Sequence, residues 1–243
     1  MRENYADRVT KQFSSVWTRE PRQPKAAGLR RDQIVAAALE VLDAEGLGAL
    51  SMRKLGAKLD AGATSLYWHV ANKDELLELV LDEIWGLAHI PDPDHTPWRE
   101  VATTFAYNLR RTLLDHPWVA TLIGSLPCVG PKAFELGDRL RRTFIGAGFS
   151  GVDVYLASGT VMSYILGQVI PEITSAKAFG DKGVDAEMMR DAMDTLAADY
   201  PEMLADYRKT IPADPATGRA LAFDFGLLCI LDGLESRLRG LSG

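Results

Sequence analysis

Cysteine is scarce in this 243-residue chain: Cys128 and Cys229 stand some hundred positions apart and without CxxC spacing. That excludes a thiolate metal knuckle or a dithiol redox pair and leaves two free thiols. Alternating apolar and polar stretches are wanting, and so is any internal repeat of roughly 20 to 50 residues, which excludes barrels, sandwiches and solenoids. No apolar run approaches the roughly 18 to 20 residues that span a bilayer, and "MRENYADRVTKQ" lacks the apolar core of a secretory signal. The expectation is a cytoplasmic chain with no membrane partner. Nucleophile elbow, phosphate-cradling loop, HExxH and paired-carboxylate arrangements are missing too, which argues against an enzyme and against a bound cofactor.

What is present describes a folded chain. An apolar share of 47% and a charged share of 25% suffice for one or two buried cores. The net charge of −6 argues against a polyanionic partner until its distribution is seen. Residues 1–73 carry 12 Lys+Arg against 8 Asp+Glu, and the remainder carries 15 against 25, so the two parts are +4 and −10. A basic head on an acidic body suits a protein whose head meets nucleic acid.

The pattern divides the chain into a basic extension (1–28), a head (29–75) and a body (76–243). In the extension, Tyr5, Val9, Phe13, Val16 and Trp17 recur at helical spacing before "REPRQPK" breaks the period. Two readings of this linker stay open: an arm lying in a DNA minor groove, or an undocked tail.

From Leu29 the spacing of Ile34, Ala38, Val41 and Leu42 predicts a helix over 30–45, stopped by Gly46. Ser51 is an N-cap for a short second helix carrying Met52, Leu55 and Leu59, and "DAG" at 60–62 reads as a tight turn. A third helix is expected from Ala63 to about His69. Two short helices about such a turn describe a helix-turn-helix. Leu66 and Val70 fall on its inner side, leaving Thr64, Ser65, Tyr67 and Trp68 outward with His69 flanking. Such a face fits the major groove of duplex DNA. Gly62 and Ala63 would let the helix N-terminus approach phosphates, Arg53 would reach a guanine, and Lys54, Tyr67 and Lys73 would anchor phosphates.

The segment "AALEVLDAEGLGALSMRKLGAKLDAGATSLYWHVANKDELLELVLDEI" resembles the DNA-binding domain of the TetR family of bacterial transcriptional repressors. "SMRKLGAKL", "TSLYWHV" and "NKDELL" carry the likeness. It continues through "TPWREVATTFAYNLRRTLLDHPWVATL" and "FGLLCILDGLES", which look like a tetracycline-repressor-type C-terminal domain. The resemblance implies a homodimer on a pseudo-palindromic operator, released when a small molecule enters the body. It puts Arg53, Thr64, Ser65 and His69 near base edges and Tyr67, Trp68 and Lys73 near the backbone. "ATS" at 63–65 departs from the tetracycline repressor, so that operator does not transfer.

The remaining chain is helical in period, giving an all-α fold: a three-helix head plus a larger ligand-binding and dimerisation domain. Gly159, Ser163 and Gly167, with Ala222, Gly226, Cys229 and Gly233 in the last helix, are small residues at helical spacing and suit a four-helix dimer interface. Candidates for an effector pocket are Trp98, Phe105, Tyr107, Leu109, Trp118, Leu122, Phe134, Phe144, Met162, Tyr164 and Gln168, most of them core residues by base rate. Ile123 stands where the tetracycline repressor's magnesium chelate needs a histidine, so an apolar, metal-free inducer is expected. His89 and His95 flank "IPDPD" at a spacing foreign to metal motifs, and a solvated loop is expected. The alternative for the whole chain is a DNA-binding protein that needs no effector.

Overall fold

The computed structural model describes residues 15–18, 29–179, 186–210 and 214–241. Among these the chain forms α1 (Arg31–Glu45), α2 (Met52–Lys58), α3 (Ala63–Leu66), α4 (Lys73–Leu87), α5 (Trp98–Asp115), α6 (Pro131–Ala147), α7 (Val152–Phe179), α8 (Ala186–Leu196), α9 (Pro201–Thr210) and α10 (Pro215–Leu241). No strand occurs among the described residues, so the all-α expectation holds. Two compact units result: residues 1–85 with 121–134, and residues 86–120 with 135–243. Of the extension, Tyr5, Val9, Phe13 and "REPRQPK" lie outside the described residues.

In the first unit the local signals operate as the spacing predicts. α1 buries Ile34, Val35, Ala37, Ala38, Val41 and Leu42, and Gly46 closes it at φ +77°, its N–H donating to the Leu42 carbonyl at 2.8 Å. A side chain at that φ is strained, which is why the helix stops on glycine. Ser51 Oγ accepts the Lys54 N–H at 3.2 Å and opens α2. The far end of α2 makes the expected tight turn. Asp60, at φ +48°, is the left-handed residue, with its N–H on Ala57 and the Ala61 N–H on Gly56 at 3.3 and 2.9 Å, while Gly62 has an ordinary φ. These two bonds are the paired closure of a Schellman turn, and aspartate is one of the few residues that tolerate it without being glycine.

α4 is buried along most of its length, and its buried residues include three acids, Glu75, Glu78 and Asp82. Each acid accepts main-chain N–H groups. Asn72 Oδ1 takes the Glu75 N–H at 2.9 Å, and Glu75 Oε2 reaches back to the Ala71 N–H at 2.7 Å. Asp82 accepts from Lys132 and Ala133 at 3.2 and 2.9 Å, so a side chain of α4 caps the first turn of α6. Burial pushes the Asp82 carboxyl up, against the pull of those two N–H groups. Gly130 makes room for it: a Cβ there would overlap the Asp82 carboxyl group.

The second unit is built on α5, α7 and α10. Phe105, Leu109 and Leu113 of α5, Val161, Ile165 and Val169 of α7, and Phe223, Leu227 and Leu231 of α10 repeat every fourth residue and are buried. The acidic loop exposes His89, Asp92, Asp94 and His95 to solvent, as expected, and is also tied down. Asn108 donates to the His89 carbonyl at 3.0 Å, Arg139 donates to that of Ile90 at 3.1 Å, and Arg142 pairs with Asp94. Among the described residues α7 alone approaches the length and composition of a bilayer span. By length and composition it is apolar enough to cross one, although Asp153, Ser163, Gln168 and Glu172 interrupt it.

Candidate nucleic-acid interface

The third helix is shorter than its spacing predicts. α3 ends at Leu66, whose carbonyl accepts both the His69 N–H (2.9 Å) and the Val70 N–H (3.1 Å), so residues 67–69 form a turn. One carbonyl shared between i+3 and i+4 donors closes the helix. A four-residue helix offers little dipole, and the expected phosphate site at its N-terminus loses that support.

The face itself forms. Leu66 and Val70 are fully buried with Leu55 of α2, whereas Thr64 and Ser65 are exposed and Tyr67 and Trp68 show 43% and 54% of their surface. Two buried aliphatic anchors thus hold a hydroxyl, phenol and indole surface outward, and a monomeric protein rarely displays such rings together without a partner.

The flanking cations divide into two kinds. Arg53 is exposed and makes no ion pair among the described residues. Lys54, expected as a phosphate anchor, pairs with Glu45, and Lys58 pairs with Glu40 at 2.8 Å. Lys73 is half-buried and donates to the Leu47 carbonyl at 3.1 Å. Exposed pairs of this kind contribute about 1 kcal/mol or less, so phosphate can displace the Glu45 partner at small cost. Gly62 has no neighbour within 4 Å of a Cβ position, so nothing within the described chain requires a glycine there.

His69 is half-buried. Burial, then the Arg31 charge, holds its imidazole below the usual histidine range. Arg31 also reaches the His69 carbonyl at 3.5 Å. It is a cation at the edge of this face that spacing along the chain does not reveal. At neutral pH the ring is uncharged and offers one donor and one acceptor. Because the folded pKa lies below the unfolded one, the unfolded chain takes up the proton first as pH falls below about 6.5. Stability contributed here is therefore present above that pH and lost below it. His69→Gln should flatten this part of the dependence when urea midpoints are compared at pH 7.5 and 5.5. An unchanged slope would remove His69 as its source.

The expected effector residues differ in burial and fall in both units. Phe105, Leu109, Trp118 and Phe144 are core residues of the second unit, where Trp98 and Phe144 make a tilted ring pair at 6.1 Å. Leu122 and Phe134 belong to the first unit, Leu122 buried and Phe134 68% exposed. Met162 is half-buried and Gln168 exposed. Tyr107 donates to Asp224 at 2.6 Å, and that carboxylate pushes its hydroxyl up to about 12. An open groove of about 510 Å³ lies along Tyr155, Leu156, Gly159, Thr160, Ser163, Ile230 and Tyr164, the last an expected effector residue.

The small residues of the last helices separate likewise. Gly159, Gly167 and Gly233 have nothing within 4 Å of a Cβ position, and Ser163, Ala222 and Cys229 are exposed. Gly226 is different: its missing Cβ would sit 2.5 Å from the hydroxyl of Tyr164, which donates to the Phe223 carbonyl at 2.7 Å. Its smallness serves packing within the chain.

A short helix pair about a Schellman turn, presenting hydroxyls and rings beside arginine, in a chain whose described residues are otherwise helical, defines a helix-turn-helix regulator of transcription. Residues 34–80 match the family described as bacterial regulatory proteins, tetR family, and residues 90–238 match the tetracyclin repressor-like C-terminal domain. The chain belongs to the TetR family of transcriptional repressors. It is 37% identical over 223 residues to an HTH-type transcriptional regulator of Saccharopolyspora erythraea, covering 91% of this chain and 92% of that one. It is 32% identical to the repressor DrrR1 of Streptomyces coeruleorubidus, covering 89% and 81%. The solved structure of ActR from Streptomyces coelicolor in complex with actinorhodin superposes with a TM-score of 0.72 at 30% identity, covering 87% of this chain and 99% of ActR.

Proposed function

We propose that the protein binds a pseudo-palindromic duplex operator as a homodimer in the cytoplasm and leaves it when a small, largely apolar molecule binds the body, without catalysis. The head is assigned to residues 29–75 and the ligand-binding and dimerisation domain to 76–243. The observation that carries this reading is the open face of Thr64, Ser65, Tyr67 and Trp68 held over fully buried Leu66 and Val70. Arg53 supplies a planar fork for a guanine edge, while Lys54, Tyr67, Trp68 and Lys73 anchor phosphates and Thr64, Ser65 and His69 meet bases.

The dimer assignment is supported by α7 and α10. Tyr155, Leu156, Leu221, Phe225 and Leu228 are large and exposed, and Gly159, Gly167 and Gly233 leave open space beside them. An apolar helix left uncovered by its own chain is explained by a second copy better than by lipid. Such a copy also brings two reading heads to one duplex-turn spacing of about 34 Å. ActR was solved in complex with actinorhodin, which supports a small-molecule inducer for a similar body. Ligand and operator then oppose each other through a coupling of about 1 to 3 kcal/mol.

The test compares two cations on duplexes selected from a random pool. Arg53→Ala should cost about 1 to 3 kcal/mol and relax one operator position, whereas Lys73→Ala should weaken all duplexes alike and lower the salt slope by about 1. Small, equal effects would count against the assignment. A compound that raises the melting temperature and lowers operator affinity together is the expected inducer.

A further inference from the structure

We propose that residues 15–18 are a docked part of the DNA-binding unit, received by the buried carboxylate of Glu78, and that Glu78 is thereby a positioning residue for operator binding, a role that rests on the operator-binding reading above. Ser15 Oγ–H donates to Glu78 Oε2 at 2.5 Å and the Val16 N–H donates to the same oxygen at 3.1 Å. All three residues are almost wholly buried, Ser15 at 1%, Val16 at 3% and Glu78 at 5% exposure. The segment satisfies its own polar groups in a compact turn. The Thr18 N–H and hydroxyl both donate to the Ser15 carbonyl at 3.1 Å, Ser15 N–H donates to Thr18 Oγ1 at 3.3 Å, and Trp17 N–H donates to Ser15 Oγ at 3.2 Å.

Glu78 has no other hydrogen-bond donor among the described residues. A carboxylate is not buried in an apolar helix without donors, so the acid at 78 and the Ser-Val pair at 15–16 require each other. The same helix begins at the reading face. One turn before Glu78, Glu75 accepts the Ala71 N–H directly after Val70, and Lys73 opens α4. Seating the N-terminal segment on Glu78 therefore braces the helix that carries the end of the recognition turn. Unseating it lowers the fraction of heads in the binding-competent arrangement, and apparent affinity falls by that fraction.

The experiment uses the full-length chain in three variants, Ser15→Ala, Glu78→Gln and Glu78→Leu. Hydrogen exchange of the Val16 amide is followed without DNA, and affinity for a selected duplex is measured over a salt series. In the wild type the Val16 amide should exchange at least about tenfold more slowly than an open amide. Glu78→Leu should abolish that protection. Glu78→Gln should keep it, because an amide oxygen still accepts both donors. Ser15→Ala, which leaves α4 intact should the Leu variant fold poorly, should weaken operator binding about three- to tenfold with an unchanged salt slope. Rapid exchange of Val16 in the wild type overturns the docking. Wild-type affinity in Ser15→Ala overturns the positioning role, and so does a reduced salt slope, which would mean direct phosphate contact by the segment. Failure of the wild type to bind any duplex, with Val16 still protected, would sink the operator reading and with it the positioning role.

Discussion

Phe225→Glu is expected to convert the proposed dimer to monomers and to lower operator affinity by about 10²- to 10⁴-fold, the avidity lost when two heads are no longer linked. Phe225 is 73% exposed on α10, with Leu221 and Leu228 exposed on either side. In a two-fold interface the substitution occurs twice. Burial of one such ring is worth about 1.5 to 3 kcal/mol, so the pair forfeits about 3 to 6 before any cost of dehydrating two carboxylates. Because Phe225 takes no part in the buried core of its own chain, the variant monomer should keep its fold and its far-ultraviolet spectrum. Sedimentation velocity with a duplex titration checks both parts. A Phe225→Glu protein that still sediments as a dimer and binds operator normally would remove α7 and α10 as the interface.

Leu66→Ala and Trp68→Ala, two residues apart, should separate folding from recognition. Leu66 is fully buried and its carbonyl closes the recognition turn, so truncating it leaves a cavity and should cost about 2 to 5 kcal/mol of stability. Operator affinity falls with it because the face loses its inner anchor. Trp68 is 54% exposed, so Trp68→Ala should change stability by no more than about 0.5 kcal/mol while weakening DNA binding. Urea unfolding and duplex titration of both proteins provide the comparison. Equal stability losses for the two would mean that Trp68 is a packing residue and that the face is misassigned.

Much of the head is legible in the residues alone. Gly46 and Ser51 announce themselves because a stop and a cap depend on residues within one turn of them. Leu66 and Val70 declare an inner side for the same reason, and "NKDELL" marks the start of α4. What the residues leave open follows from the same locality. "DAG" marks a tight turn without saying which residue bends it, and Asp60 takes the left-handed position. The spacing carries the third helix to His69, but the Leu66 carbonyl accepts two donors and ends it. Each is a choice between nearly equivalent local geometries.

The candidate site is less legible where long-range partners decide. Lys54 and Lys73 look like free phosphate anchors in the sequence, and only the fold brings Glu45 and the Leu47 carbonyl to them. Gly226 belongs by spacing with Ala222, Cys229 and Gly233, yet unlike Gly233 it accommodates the Tyr164 ring. The pocket candidates share a residue type, and type does not distinguish a core ring such as Phe144 from an exposed one such as Phe134.

The sequence by itself determined the helices, the head that reads DNA and the family, because periodicity, capping and contiguous motifs are set by residues a few positions apart. The tertiary structure alone decided which small residues lie open on α7 and α10, and that Glu78 and Asp82 are buried, each with its own main-chain donors. Burial and hydrogen-bond satisfaction are properties of neighbours in space. For Glu78 those neighbours lie 62 and 63 positions away along the chain, beyond the reach of any local pattern.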